Sequence, residues 1–313
     1  SGRAPVRILF LLYEYDRRVR GGMGGFRHAL ELAENWVRMG HQVTILRPRL
    51  RKTEEPTSVP VVEVPIIDLP VLRPVLVYTL LLLYGLFTSI RARPDVVYAR
   101  EMFAPTPLFL ARLFGCPVLL EVNGDSYRHR SAFEPRWRLA LLRRIQRFNF
   151  ETCDRIVAVT EGLRQALLTR FSLPPEKVVV IENGTNTERL RPLDPLACRR
   201  RLGLPERARY VGFAGTFFRY QGVQTLIEAA PLILKGCPEA RFLIVGDGEM
   251  REEWEALVRR LGVGAAFDFP GQVTYDAIPH YLGAMDLCVA PFTADRGEGS
   301  PLKLFDYIAS GHP

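Results

Sequence analysis

Short apolar segments alternate with amphipathic ones along the whole chain. Short apolar runs rich in Val, Ile and Leu predict strands, and apolar residues three or four apart predict helices. In the first part of the chain, the pattern predicts strands at residues 6–12, 42–46, 61–64, 95–99, 117–122, 155–159 and 177–181, with helices at 25–39, 105–114, 133–151 and 162–171. A turn-rich linker at 183–195 then interrupts the alternation.

The alternation resumes after the linker. It predicts strands at 210–214, 241–245, 266–269 and 287–291, with helices at 223–234, 250–261 and 277–282. Repeated βα units of this length imply parallel sheets with helices on both faces. The fold class is therefore α/β, with two Rossmann-like doubly wound domains at 1–190 and 191–313, and ligands are expected in a cleft at the carboxyl ends of the strands.

Residues 75–90 form an apolar run of a different kind. The run has 16 residues without a charge, between Arg73 and Arg91. A helix that spans a bilayer needs about 20 residues. The pattern therefore favours a buried or interfacial helix over a membrane span.

The charge is unevenly distributed. Residues 1–190 contain 28 Arg and Lys residues against 19 Asp and Glu residues, whereas residues 191–313 contain 14 against 15. Such an excess indicates an anionic partner for the first half, and a membrane surface is favoured because no nucleic-acid-binding motif is present. A bland alternative stays open, since the chain has only four lysines and favours arginine throughout.

The five cysteines are scattered at positions 116, 153, 198, 237 and 288. An odd number in apolar runs is typical of reduced thiols in a cytoplasmic protein. No CxxC pair or Cys/His cluster predicts a metal site.

The segment 296–311 carries the most chemistry. Ser300 suits an N-cap, and Pro301 suits the first helical position. The amides of Leu302 and Lys303 would then point out of the helix start and form an anion site. Carboxylates at Glu298 and Asp306 flank that site. The amides would bind a phosphate, and the two carboxylates would bind hydroxyl groups. A ligand with both kinds of group in this arrangement is a nucleotide-sugar.

Two glycine-rich turns follow strands, at 21–25 (GGMGG) and 246–248 (GDG). Glycine allows the backbone to approach a diphosphate closely. Neither turn has the GxGxxG spacing of a dinucleotide site, which disfavours a hydride-transfer enzyme.

An ordered series of motifs runs along the whole chain. The series comprises the glycine turn with Arg27 and His28, then MGHQVT (39–44), PDVVY (94–98), DRIVAVT (154–160), VIENG (180–184), GFAGT (212–216), GVQTLIEA (222–229), IVGDG (244–248), PGQV (270–273) and EGSPLKLFD (298–306). By this series the chain resembles the retaining glycosyltransferases of GT-B architecture in glycosyltransferase family 4.

The resemblance implies a set of donor-binding residues. Glu298 would contact sugar hydroxyls, Asp306 the ribose and the 271–273 segment the base, while helix-start amides and glycine turns would hold the diphosphate. The implied donor-binding residues are Gly24, Gly25, Gly215, Thr216, Gly246, Gly271, Gln272, Val273, Gly299, Ser300, Pro301, Leu302 and Asp306.

The sequence departs from the family pattern at three places. Asp306 replaces a glutamate, and Thr216 and Gln221 stand where a basic pair is common, which leaves Lys303 and Arg219 as the cations for the leaving diphosphate. Asn123 stands where many relatives have a histidine. Asp125 or Glu121 is a candidate for the acceptor hydroxyl, with a structural role for Glu121 equally open.

The resemblance implies transfer from a UDP- or GDP-type sugar to an acceptor with retention of configuration. No cofactor and no catalytic metal are expected, and the basic first half suggests a lipid-linked or membrane-proximal acceptor. A nucleotide-sugar epimerase and an inactive nucleotide-binding module remain alternatives. Family members continue beyond the position that corresponds to Pro313, so a truncated second domain with a sheet edge open to self-association is expected.

Overall fold

The computed structural model describes residues 4–13, 24–49, 57–67, 72–124, 135–297 and 299–313. These residues form two compact units. The first unit contains the described residues up to Glu182 together with residues 299 and 300, and the second contains the other described residues from Asn183 onward. The sequence pattern places the division after residue 190.

The first unit is built on a seven-stranded parallel sheet with the order β3-β2-β1-β4-β5-β6-β7. At its centre, Ile8 pairs with both Val43 and Val96. The order reverses direction between β1 and β4, which is where doubly wound sheets bind ligands. The strands are β1 (Arg7–Leu11), β2 (Gln42–Pro48), β3 (Val61–Val64), β4 (Val96–Arg100), β5 (Val118–Val122), β6 (Arg155–Ala158) and β7 (Val178–Val180).

Helices cover both faces of this sheet. The helices are α1 (Gly24–Arg38), α2 (Arg73–Ala92), α3 (Thr106–Phe114), α4 (Arg136–Thr152) and α5 (Glu161–Phe171). Right-handed crossovers place α1 on one face and α2 to α5 on the other. The two hydrophobic cores agree, since Leu30 of α1 lies in one core and Leu81 of α2 and Leu110 of α3 lie in the other.

Helix α2 contains the long apolar run. Its inner side packs on the sheet through Val77 and Leu81, which are almost fully buried. By length and composition alone, Val75–Ala92 is the one segment among the described helices that could cross a membrane, and 28% of it is buried. The inner side is part of the core of the first unit, so α2 is a covering helix of the sheet.

The second unit has a four-stranded parallel sheet with the order β10-β9-β8-β11. Its strands are β8 (Arg209–Ala214), β9 (Ala240–Val245), β10 (Phe267–Gly271) and β11 (Leu287–Cys288). Its helices are α6 (Pro195–Leu202), α7 (Val223–Gly236), α8 (Arg251–Arg260), α9 (Ile278–Gly283) and α10 (Leu302–Ala309). Two doubly wound parallel sheets confirm the predicted fold class.

Three elements differ from the sequence prediction. Helix α6 is missing from the prediction, although Asp194 caps the amide of Ala197 at 3.0 Å, Pro195 occupies the first turn and Gly203 ends the helix. Strand β11 is two residues long where five were predicted, and helix α4 begins at Arg136. The missed helix shows that a turn-rich composition can conceal a strong N-cap.

Candidate functional site

Lys303 lies at the centre of the candidate site in the second unit. Its side chain extends from the first turn of α10 towards the carboxyl end of β8. Lys303 Nζ donates a 2.6 Å hydrogen bond to Gln221 Oε1 and lies 3.7 Å from the centre of the Phe213 ring. A Cβ atom on Gly215 would lie 2.9 Å from the same Nζ. The structure therefore brings together Lys303, Gly215 and Gln221.

The environment of Lys303 favours the neutral amine. Burial holds the pKa of Lys303 well below its usual value, and the positive charge of Arg296 lowers it further, with a partial opposing effect from Asp306. An anion bound beside Nζ would favour the ammonium form and raise the pKa again. The cluster has the chemistry of a site that is completed by a negatively charged ligand.

The start of helix α10 differs from the prediction by one residue. The helix begins at Leu302, and Pro301 is the N-cap residue with no side-chain capping bond, so Ser300 is not the N-cap and Pro301 is not in the first helical position. The Leu304 amide donates to the Pro301 carbonyl at 2.8 Å. The amides of Leu302 and Lys303 belong to the first turn, where helix geometry offers no acceptor within the helix.

Asp306 and Tyr307 attach α10 to the rest of the unit. The Thr185 hydroxyl donates a hydrogen bond to Asp306 Oδ1. The Tyr307 hydroxyl accepts a 3.0 Å hydrogen bond from the Ala214 amide at the end of β8. Both contacts lie about one turn after Lys303 and fix the helix there. The predicted ribose contact of Asp306 stays a prediction, since a carboxylate has further lone pairs to offer.

Three of the predicted donor glycines, Gly215, Gly246 and Gly271, meet at the ends of the strands of the second unit. Gly246 has a φ of +134°, and a Cβ atom there would lie 2.0 Å from the Gly215 carbonyl oxygen. The Gly246 amide donates to the Gly271 carbonyl at 3.0 Å. Glycine is therefore required at position 246 by backbone packing alone, whatever the ligand. Among the other predicted donor-binding residues, Thr216 follows Gly215 and Gln272 and Val273 follow Gly271 in the chain. Thr216 and Val273 are half-buried, and Gln272 is exposed.

A second close contact joins the loop after β8 to the loop after β11. Gly222 has a φ of +69°, and a Cβ atom there would lie 1.9 Å from the Pro291 carbonyl oxygen. The Thr293 amide donates to the Tyr220 carbonyl at 3.1 Å. Phe292 also lies 5.4 Å from Lys303 Nζ. The two loops beside Lys303 are thus fixed to each other by contacts between their own backbone atoms.

Arg219 has a different environment from Lys303. Its guanidinium bonds to Glu253 of α8 at 3.1 Å, and 66% of its side chain is exposed. The structure therefore places Arg219, the second predicted cation, at the solvated surface beside α8. A role for Arg219 in holding the diphosphate stays a prediction.

A buried carboxylate dominates the equivalent edge of the first unit. Glu121, the penultimate residue of β5, is 2% exposed. Tyr98 donates to its Oε2 at 2.7 Å, while His28 Nε2 lies 3.2 Å and Arg100 Nε 3.7 Å from its Oε1. Asn123 Nδ2 also donates to Oε1. His28 belongs to α1, Tyr98 and Arg100 belong to β4, and Asn123 follows β5, so Glu121 links β5 to α1 and β4.

The charge of Glu121 is strongly stabilised. Burial alone would raise its pKa, but the hydrogen bond and charge of His28, the charge of Arg100 and the hydrogen bond from Asn123 outweigh burial and lower the pKa to about 2. A carboxylate with so low a pKa is a poor proton acceptor near neutral pH. The interpretation of Glu121 as the group that serves the acceptor hydroxyl is therefore disfavoured, and a structural role is favoured.

Some predicted residues lie elsewhere than expected. Helix α1 begins at Gly24, one residue before its predicted start at Gly25, so both predicted donor glycines belong to the first turn of the helix. Glu298 and Asp125 lie outside the described residues. Gly299 lies within the described part and is grouped with the first unit.

Sequence reasoning missed several supporting residues. Gln221 was noted only as a replacement for a cation, and Thr185, Tyr307 and Tyr98 were not singled out. Tyr307 had a usable signal, since it lies four residues after Lys303 and so shares its helix face. Thr185 and Tyr98 are distant in sequence from the groups they contact, and no local pattern indicates such pairs.

Comparisons with known proteins agree with the fold of the two units. The sequence model of Glycosyltransferase Family 4 matches residues 22–189, and that of Glycosyl transferases group 1 matches residues 208–313. The D-inositol 3-phosphate glycosyltransferase of Thermobispora bispora is 29% identical over 172 residues, which cover 52% of this chain and 40% of that protein. Alignments with the first curated relatives cover 37%, 40% and 51% of those proteins, so this chain spans about half of their length or less.

Solved structures share the fold at low sequence identity. Sucrose-phosphate synthase of Thermosynechococcus elongatus has a TM-score of 0.75 at 17% identity, over 98% of this chain and 80% of that one. HepE of Anabaena, solved in complex with UDP-glucose, has a TM-score of 0.72 at 18% identity, over 97% of this chain and 79% of that one. Both sheets, the ordered motifs and a family match over more than half of the sequence lead to one conclusion: the chain belongs to Glycosyltransferase Family 4.

Proposed function

We propose that this protein transfers a glycosyl group from a UDP- or GDP-type sugar to an acceptor hydroxyl, with retention of configuration. Membership of Glycosyltransferase Family 4 supports the class of reaction. The UDP-glucose complex of HepE, a protein with the same fold, supports the class of donor. The proposal includes no catalytic metal and no cofactor.

The observation that carries the proposal is the position of Lys303. Lys303 belongs to the first turn of α10, and its amine lies beside Gln221 and Gly215, where burial disfavours its charge. A diphosphate would accept hydrogen bonds from the amides of Leu302 and Lys303 and would stabilise the ammonium form of the Lys303 side chain. Asp306 and Glu298 would then hold hydroxyl groups of the ribose and the sugar.

The chemistry requires one bond to form and one to break. The acceptor oxygen bonds to the anomeric carbon as the bond from that carbon to the diphosphate oxygen breaks. The acceptor proton passes to the departing diphosphate oxygen on the same face of the sugar, so the configuration is retained. Lys303 stabilises the negative charge that develops on the diphosphate, which is usually the largest catalytic effect. Asn123 and Asp125 are assigned to orienting the acceptor.

The acceptor is proposed to be lipid-linked or membrane-proximal. The excess of basic residues before position 191 supports this assignment, because the negative surface potential of anionic membranes attracts basic proteins. The reaction would then take place at the cytoplasmic face of a membrane.

The test is donor binding and transfer by the Lys303→Met variant. Calorimetry with UDP and GDP is expected to show at least about tenfold weaker binding, which corresponds to about 1.4 kcal/mol, because the charge that faces the diphosphate is lost. Lys235→Met is the matched control, since Lys235 is exposed on α7. NMR of the product of a transfer reaction reports the anomeric configuration.

Each alternative gives a distinct result in the same assays. An epimerised sugar nucleotide that forms without an acceptor would support an epimerase. Tight nucleotide binding without turnover across a panel of acceptors would support an inactive binding module. Equal nucleotide affinity of Lys303→Met and Lys235→Met would contradict the assignment of Lys303.

A further inference from the structure

The outer side of helix α2 is apolar where a solvated helix would be polar. Leu83, Phe87 and Ile90 are 54%, 55% and 63% exposed. Their spacing of four and three residues places them on one side of the helix, opposite the buried Val77 and Leu81. Three large exposed apolar side chains in two turns are unusual for a surface that only meets water.

Helix α3 extends this apolar side. Phe109 and Leu113, four residues apart, are 57% and 59% exposed. The two helices touch, since a Cβ atom on Gly85 of α2 would lie 2.6 Å from Leu110 Cδ1 of α3. Both helices lie on the same face of the sheet, so their outer sides point the same way. We call these outer sides together the α2–α3 surface: Leu83, Phe87, Ile90, Arg91, Arg93, Phe109, Arg112 and Leu113.

The charge of the α2–α3 surface has one sign. Neither α2 nor α3 contains an aspartate or a glutamate. Arg91, Arg93 and Arg112 are exposed, and the Arg91 guanidinium lies 4.0 Å from the centre of the Phe87 ring. Apolar side chains are therefore directly accompanied by cations.

Helix α4, on the same face of the sheet, repeats the combination. Trp137, Leu141 and Phe148 are exposed large apolar residues, and they alternate with arginines. The exposed arginines of this helix include Arg136, Arg143, Arg144 and Arg147. Its only acidic residue is Glu151 in the last turn, which pairs with Arg147.

We propose that the α2–α3 surface binds the surface of a lipid bilayer that contains anionic headgroups. The apolar side chains enter the boundary between headgroups and acyl chains, and the arginines bind lipid phosphates, as in interfacial amphipathic helices. Helix α2 lies along the bilayer and does not cross it, because its inner side belongs to the core of the first unit.

Charge complementarity favours a bilayer over a second copy of the chain. In a symmetric dimer the same surface meets itself, so the arginines would face arginines. The two helices supply no acidic side chain to neutralise them. An anionic bilayer neutralises all of them at once. The inference concerns the first unit and does not depend on the proposed transfer reaction, although it deepens the assignment of a membrane-proximal acceptor.

The test is co-sedimentation of the full chain with vesicles. Phosphatidylcholine vesicles that contain phosphatidylglycerol are compared with vesicles of phosphatidylcholine alone. We expect binding to the anionic vesicles, and at least about tenfold weaker binding by the double variant Phe87→Glu/Phe109→Glu. Two aromatic side chains that would enter the bilayer are replaced in this variant by carboxylates, which anionic headgroups repel. The matched control is Leu196→Glu/Leu232→Glu, which adds the same charge at exposed apolar positions of the second unit.

Further measurements separate the outcomes. Thermal melts establish that both double variants are folded, and UDP calorimetry without vesicles reports the proposed donor site separately. Equal vesicle binding by both double variants would overturn the proposal, as would equal binding of the natural sequence to neutral and anionic vesicles. A dimer that Phe87→Glu/Phe109→Glu dissociates, in a chain that does not bind vesicles, would assign the surface to self-association instead.

Discussion

The two units each place a charged side chain near the carboxyl ends of their strands, and the two charges have opposite environments. Glu121 is buried among Tyr98, His28, Arg100 and Asn123, and its pKa is lowered to about 2, so its charge is fully supported. Lys303 has a neutral hydrogen-bond acceptor in Gln221, and burial lowers its pKa, so its charge is poorly supported.

The difference separates a structural charge from a binding charge. A charge that the protein already satisfies contributes to folding and has little left to offer a ligand. A charge that the protein disfavours gains most when a ligand of opposite sign arrives. By this criterion we expect Glu121 to stabilise the first unit, and we propose Lys303 as the residue that binds an anion.

Removing the Glu121 carboxylate should give the largest effect. Glu121→Ala is expected to lower the free energy of unfolding by about 3–5 kcal/mol, because it leaves buried partners of the carboxylate uncompensated. Urea denaturation measures the loss. Glu176→Ala, at an exposed position of the same unit, should change stability by less than about 0.5 kcal/mol. Similar losses in both variants would break the distinction between the two charges.

The pH dependence of nucleotide binding tests the other side of the comparison. The free chain holds the pKa of Lys303 below its usual value, and a bound diphosphate raises it, so binding takes up a proton at a pH above the lowered pKa. UDP affinity should then fall as pH rises, by up to about tenfold per pH unit.

Calorimetry above the second pKa of the nucleotide phosphate, about 6, isolates this effect from the titration of the ligand. Buffers with different ionisation enthalpies report the proton uptake directly. Lys303→Met should show neither the slope nor the uptake. The same slope in the natural sequence and in the variant would contradict the inference that the pKa of Lys303 rises when the nucleotide binds.

The smallest effect is expected at Arg219. Its ion pair with Glu253 is exposed, and such pairs contribute about 0–1 kcal/mol. Arg219→Ala should therefore change both the free energy of unfolding and the UDP affinity little, in contrast to Lys303→Met. A loss of UDP affinity as large as that of Lys303→Met would show that Arg219 also reaches the diphosphate.

The fold was largely predictable because its pattern is local. Parallel strands buried on both faces read as apolar runs, and the glycines at positions 40 and 115 end their helices as expected. Helix α6 was missed because the turn-forming residues before it outweighed the Asp194-Pro195 start. Strand β11 was overestimated because an apolar run at 287–291 continues beyond the two residues that pair with β8.

The candidate site was predictable only in part. The spacing from Glu298 to Asp306 and the position of Lys303 can be seen in one short segment. The partners of Lys303 cannot, since Gln221 is 82 residues away in the chain. The burial that lowers the pKa of Lys303 and the four contacts of Glu121 exist only in the folded chain, and a sequence pattern does not state which distant residues meet.

The contact between Gly222 and Pro291 has a consequence for affinity. Two loops beside Lys303 are fastened to each other by backbone atoms, through this contact and through the bond from Thr293 to Tyr220. The conformational entropy of these loops is lost when the chain folds. A ligand therefore binds to loops that are already ordered, and its affinity is not reduced by ordering them. A side chain at position 222 would separate the two loops, and the entropy of ordering them would then be lost on ligand binding instead of on folding.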